Sequence, residues 1–343
     1  EKGTPVDMAT QGQPASWADE VEAEGLRGST HGSLSWISWS FVAFLIALAF
    51  FIVAANVEDA ALLPGFALGP IVVLYFGYWR HLRQEIPIDL VVKNFAFGFL
   101  PGSILVMIVE SILTGLFFIL CFSDQAPGWV SQLSKHAEEG QAGLMVGTSP
   151  GSGSINATSG DSDDPLKLLE ASLGIKIIRT PGFYIFIFLL AYGVAGWSEE
   201  TMKYCTPLRF KGCRNSPSPY VYLVCTVACA LGFSSVENVG YTFSGGGQAG
   251  FSERMITAYS RAVVAIMAHS VCGGIVGMGL TRRHVLGHSI SYFEILAPAV
   301  LTHGTFDFLQ LILATMVMDE TTREVGVVVV CTAVLLSGSI YLY

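Results

Sequence analysis

Two adjacent glutamates, Glu199 and Glu200, leave an apolar run that extends from Phe183 to Ala195, and Lys203 follows one turn later. An acidic side chain at the centre of a bilayer helix costs on the order of 3 kcal/mol, so such groups are as a rule paired, water-facing and functional. Three further polar clusters interrupt later apolar stretches. They are Phe233-Ser234-Ser235-Val236-Glu237-Asn238, then His269, then His303-Gly304-Thr305-Phe306-Asp307. Taken as one site, the four clusters suit hydrolysis. A carboxylate would act as general base on a water, and imidazoles would donate protons or stabilise an oxyanion, in a low-dielectric cavity where charge stabilisation is strong.

Each cluster also has a plainer reading. On a helix Glu199 meets Lys203 at i,i+4 and Glu200 meets it at i,i+3, which by itself describes a salt bridge where a helix reaches the headgroups. Glu237 follows the run Val221 to Phe233 with no basic neighbour within a turn, beside Asn238 and one turn before Tyr241. It could be a buried acid joining helices. His269 shares a face with Arg261, Ala265, Gly273 and Gly277, and the two glycines permit close helix approach. His303 and Asp307 stand at i,i+4, the spacing by which a carboxylate orients an imidazole and raises its basicity. The same inventory could hold zinc through His269 and His303 with Glu237 or Asp307, leaving a position open for water. A proton-coupled transporter and a catalytically inactive membrane scaffold are the readings from other classes.

The elements that must position these residues are membrane helices. Hydrophobic residues make up 52% of the 343 and charged residues only 13%, against about 25% charged in ordinary soluble domains. The fold class expected is all-α, a polytopic transmembrane bundle in a lipid bilayer. At about 20 apolar residues per span, about eight helices are expected, over 36–55, 60–79, 96–122, 181–201, 220–241, 255–280, 293–318 and 325–343. Pro101-Gly102 would kink the third or make its start an interfacial segment. The organisation expected is an acidic disordered tail (1–35), amino-terminal helices (36–122), a long acidic Gly/Ser-rich loop (123–180), a catalytic core (181–318) and a final helix (319–343). None of the seven cysteines has Cys-x-x-Cys spacing, and they read as core residues. The net charge of -9 argues against nucleic acid as a partner.

Basic residues of the short loops set the expected orientation. Arg80, Arg83 and Lys93, then Lys203, Arg209, Lys211 and Arg214, then Arg282 and Arg283 would place those loops and the amino terminus in the cytosol. The long loop, with its sequon Asn156-Ala157-Thr158, would lie across an endomembrane or the plasma membrane. Spans drawn this way put Glu199 and Glu237 towards opposite ends of their helices, an offset approaching ~20 Å at 1.5 Å per residue. Either a fourth helix continuing to about Thr206 with the fifth starting nearer Leu223, or a break at a glycine, would bring them level.

Glu-Glu-x-x-Lys at 199–203, Gly-Phe-x-x-x-Glu-Asn at 232–238, a histidine followed by glycines at 269–277 and His-Gly-x-x-Asp-Phe at 303–308 resemble, in order, the motifs of the PrsW intramembrane proteases. That family is grouped with type II CAAX prenyl endopeptidases and bacteriocin-immunity-type membrane proteases. The resemblance implies an endopeptidase that cuts membrane-anchored proteins. Carried over by position, Glu199 would activate water with Glu200 and Lys203 in support, and Glu237, Asn238, His269, His303 and Asp307 would complete the site. Relatives are labelled either metalloproteases or glutamate-dependent enzymes. The expectation adopted is a glutamate mechanism with no required cofactor, with a zinc-dependent form as the alternative.

Overall fold

Runs of apolar residues long enough to cross a bilayer satisfy their backbone groups only as helices, and that is what the chain forms. The computed structural model describes residues 34–123, 180–243, 250–315 and 320–342. Most of the expected tail, nearly all of the expected 123–180 loop and the Asn156 sequon lie outside these residues. Among the described residues there is no strand, and seven helices are long and apolar enough to span a membrane. They are α1 (Trp36–Ala55), α2 (Val57–Trp79), α3 (Ile88–Cys121), α4 (Pro181–Arg209), α5 (Val221–Phe243), α6 (Phe251–His284) and α7 (Tyr292–Thr315). The eighth expected span falls on α8 (Glu320–Leu342), whose apolar stretch is the shorter Val328–Ile340. The chain is an integral, multi-pass membrane protein.

Lipid tails are as apolar as leucine, so helices associate here by close packing rather than by the hydrophobic effect. α5 and α6 form the centre and α1 the rim, where Trp36, Trp39, Phe50 and Phe51 face outward. The α5–α6 contact runs along Gly273 and Gly277, which lie against Ala230, Val227 and Leu223. α3 meets α5 reciprocally: an added Cβ on Gly98 would fall on the carbonyl of Cys229, and one on Gly232 on the carbonyl of Phe95.

Three helices carry π turns, at Tyr75–Trp79, Gly98–Gly102 and Leu189–Gly196. The second contains Pro101, so the expected kink is a widened turn within one continuous helix that begins at Ile88 rather than near residue 96. Lys93 is therefore helical, paired with Asp89 at 2.6 Å, and not a loop residue. Asp89 also accepts from Ser38 Oγ and the Ser35 amide, both at 2.7 Å, tying the start of α1 to α3. Lys203, likewise assigned to a loop from sequence, lies inside α4, which continues to Arg209. Arg209 at the end of α4, Lys211 and Arg214 in a short helical turn, and Arg282 and Arg283 at the end of α6 are helical as well and not loop residues. These helix ends and the turn before α3 are tied together through Ser218 Oγ to Glu85 Oε2 (2.8 Å) and Thr281 Oγ1 to the Pro219 carbonyl (3.1 Å).

Candidate active site

The π stretch Leu189–Gly196 ends where Ser198, Glu199 and Glu200 begin. A π turn takes in an extra residue, so it shifts the face that the following helix presents. Both glutamates then point into the bundle, with Glu199 3% exposed and Glu200 and Lys203 fully buried. Those values exclude the headgroup salt bridge.

Lys203 Nζ lies 2.6 Å from Glu200 Oε1, 3.4 Å from Glu199 Oε2 and 3.2 Å from His269 Nδ1. Each imidazole is held at one ring nitrogen by a carboxylate from another helix and turns the other towards Glu199. His269 Nε2 stands 2.8 Å from Glu237 Oε2, with Nδ1 3.5 Å from Glu199 Oε2. His303 Nδ1 stands 2.7 Å from Glu200 Oε1, with Nε2 3.7 Å from Glu199 Oε1 and 3.3 Å from Asp307 Oδ2. The rings are nearly perpendicular, at 84°, with centroids 5.3 Å apart. For His269 a carboxylate on one ring nitrogen fixes the tautomer and frees the other nitrogen's lone pair, whereas His303 has a carboxylate at each nitrogen, Glu200 at Nδ1 and Asp307 at Nε2.

The expected offset between Glu199 and Glu237 does not occur, because α4 runs ten residues past Glu199 to Arg209 and so carries the pair to mid-helix. The two carboxylates instead flank the same imidazole. Glu237 has a cation after all, in Arg261 Nη2 of α6 at 3.6 Å. Asn238 is wholly buried and accepts from Arg261 Nε at 3.0 Å, so it fixes the arginine and does not line the cavity. Arg261 in turn lies 3.8 Å over the Tyr241 ring.

The cluster opens on a cavity of about 870 Å³ lined by Glu110, Thr114, Glu199, Glu237, Tyr241, Arg261, His269, His303 and Asp307, with apolar residues of α4, α6, α7 and α8. Glu110 of α3 did not enter the sequence reading. Ser198 Oγ lies 3.1 Å from its Oε1. The signal was available: Glu110 is the one charged residue between Ser103 and Cys121, and the membrane cost invoked for Glu237 applies to it equally. Cys272, read as a core residue, also stands beside the site, grouped with Glu200 and His303.

Glu199, His269 and His303 each offer one donor atom, all within 4.8 Å of one another. Three ligands about 2.0–2.2 Å from a single zinc stand roughly 3.3–3.5 Å apart at tetrahedral angles, close to the 3.5 and 3.7 Å separations of Glu199 from the two rings. Among the described residues the site carries the carboxyl groups of Glu110, Glu199, Glu200, Glu237 and Asp307 against one lysine and one arginine, Lys203 and Arg261, besides the two histidines. Glu200 Oε2 is buried with no hydrogen-bond partner among the described residues. A divalent cation fits this charge and donor set. Of the carboxylates, Glu199 is the one grouped with both histidines, while Glu237 stands at the outer nitrogen of His269 and Asp307 at Nε2 of His303. Lys203 is the competing feature, since its amine already meets His269 Nδ1.

Neither a curated protein nor a solved structure matches the chain. Residues 167–338, half of the chain, match the family model described as PrsW family intramembrane metalloprotease, and that stretch contains α4 to α7 with every motif residue of the cluster. Buried carboxylates and histidines converging on a cavity between membrane helices, within the segment so matched, make this chain a member of the PrsW family and an intramembrane protease.

Proposed function

We propose that the chain hydrolyses peptide bonds of membrane-anchored proteins at this cluster, with the attacking water lying between Glu199 and the two imidazoles. The observation that carries the reading is that Glu199 faces His269 and His303 together, at 3.5 and 3.7 Å, on the wall of the cavity. Glu199 takes a proton from the water as its oxygen attacks the scissile carbonyl carbon. His303, with Glu200 at Nδ1 and Asp307 at Nε2, serves as the imidazolium, and its Nε2–H donates to the carbonyl oxygen as that oxygen gains charge. When the C–N bond breaks, the proton held by Glu199 passes to the leaving amine, and the carboxylate is regenerated. Glu200 and Glu237 position the imidazoles, Lys203 offsets the charge of the glutamate pair, and Asn238 holds Arg261 against Glu237.

A second reading is favoured by the converging donor trio and by the family's description as metalloproteases. Glu199, His269 and His303 would then hold a divalent ion, zinc being the one their donor types suit. Such an ion supplies Lewis-acid polarisation of the carbonyl and a more acidic water.

Membrane fractions from cells producing the wild-type chain or Glu199→Gln, compared by mass spectrometry of protein amino termini, test the activity. New termini near membrane segments should appear with the wild type and be missing with Glu199→Gln at equal protein level. Identical sets would refute the role given to Glu199. Purified protein carrying about one equivalent of metal, and losing both metal and activity to a chelator, would establish the metal-bound form. Full activity without metal would establish the glutamate form.

A further inference from the structure

We propose that Glu110 contacts the substrate of this proteolytic site, accepting a hydrogen bond from the backbone of the segment being cut; the proposal rests on the function argued above. Glu110 lies on α3, outside the matched residues 167–338. Its neighbours Met107, Ile108, Ile112 and Leu116 face outward as a lipid-contacting surface requires. Glu110 faces the other way, half-buried, and with Thr114 one turn later it lines the cavity that holds Glu199.

Ser198 Oγ, at 3.1 Å, is the one hydrogen-bond donor to Glu110 among the described residues, and no lysine, arginine or histidine there forms an ion pair with it. A carboxylate can accept about four hydrogen bonds, so the Ser198 contact leaves Glu110 with unused acceptor capacity facing the cavity. A polar acceptor that faces the cavity and not lipid is explained if a donor arrives with the substrate.

A transmembrane substrate brings such donors. Cleavage requires a locally extended backbone, and unwinding a helix frees amide N–H groups that have no partner in an apolar setting. The α4 face of the cavity, Leu190, Ala191, Val194 and Ala195, offers them only side-chain carbon. Glu110 and Thr114 supply acceptors on the facing helix, and Glu110 is bonded to Ser198, the residue next to Glu199.

The test uses the full chain in proteoliposomes with a quenched fluorescent transmembrane peptide that contains a cleavage site mapped by the comparison of wild type with Glu199→Gln. Glu110→Leu should raise KM about tenfold with kcat nearly unchanged, the loss expected for one hydrogen bond to a charged group. Glu110→Gln, which keeps an acceptor oxygen, should stay within about threefold of wild type. Peptides N-methylated at single amides around the scissile bond should include one position that raises KM for the wild type and adds nothing for Glu110→Leu. Should Glu110→Leu fail to fold, Glu110→Ala, which also removes the acceptor, takes its place in the same comparison. No sensitive amide position, an unchanged KM in Glu110→Leu, or a loss of kcat alone in both variants would overturn the proposal while leaving the proteolytic reading intact. If wild type and Glu199→Gln cleave alike, the reading itself fails and this proposal with it.

Discussion

Replacing Lys203 with methionine tests the electrostatic logic of the site directly. The amine is fully buried and holds Glu200 Oε1 at 2.6 Å and Glu199 Oε2 at 3.4 Å, themselves nearly inaccessible. Methionine fills much of the same volume, so packing is largely conserved and the loss is one of charge. Breaking a buried ion pair by removing one partner costs about 3–5 kcal/mol, because an uncompensated charge remains. Here one amine serves two carboxylates, which points to the upper end. Thermal unfolding of the detergent-solubilised chain should show a midpoint lowered by on the order of 10 °C. Glu200→Gln alone removes a carboxylate from the same contact, and the double variant Lys203→Met/Glu200→Gln leaves one stranded charge fewer. Its destabilisation should fall short of the sum of the singles by about 2 kcal/mol, within the range seen for residues in one ion-pair network. Additivity within about 0.5 kcal/mol, the behaviour of independent sites, would refute the account of Lys203 as the cation of the glutamate pair.

Three further expectations follow from the same geometry. Glu200→Gln should cut kcat about 10- to 100-fold while binding a substrate peptide normally, because Glu200 acts through His303 at 2.7 Å; an equal loss in Glu200→Gln and in the His303→Ala/Glu200→Gln double variant would show that the two act as a unit. Asn238→Leu leaves the Arg261 Nε–H without its 3.0 Å acceptor, so it should destabilise by about 1–3 kcal/mol, measured by thermal unfolding with and without Arg261→Met. Gly232→Ala should impair folding far more than Gly240→Ala, since the first places a Cβ on the Phe95 carbonyl and the second meets nothing; the folded, monodisperse fraction in detergent measures the difference.

Hydropathy made the spans legible because each is a long run of one chemistry, and the four motifs stood out as breaks in such runs. Depth was not legible in the same way. Lys93 and Lys203 looked like loop residues because sequence weighs a lysine by its charge, whereas each sits on a helix beside the carboxylate that offsets it, Asp89 and Glu200. Ending the fourth helix at Thr201 then misplaced the glutamates relative to Glu237. The π turn before Ser198 has no sequence marker of its own beyond Gly193 and Gly196, so the inward turn of both glutamates came from structure alone. Glu110 escaped because it is a single residue with no spaced companion, although its cost in lipid was computable.

The site is assembled by reach across helices. Glu199 on α4 meets rings from α6 and α7, while the carboxylates that orient those rings come from α5 and α4. An error of one turn in any of these helices moves a side chain about 5.4 Å along the axis, more than any donor separation in the cluster, so the geometry survives only if the helices cannot slide. The glycine contacts supply that constraint where the demand falls: Gly273 and Gly277 lock α6 to α5, and Gly304, one residue past His303, lies against the Tyr192 ring of the π stretch that leads into the glutamates. Tyr192 Oη and Thr305 Oγ1, 2.9 Å apart, add a hydrogen bond across the same α4–α7 contact. Small residues beside the motifs therefore belong to the catalytic design as much as the acids and histidines do, because in lipid close backbone approach is what holds helix register.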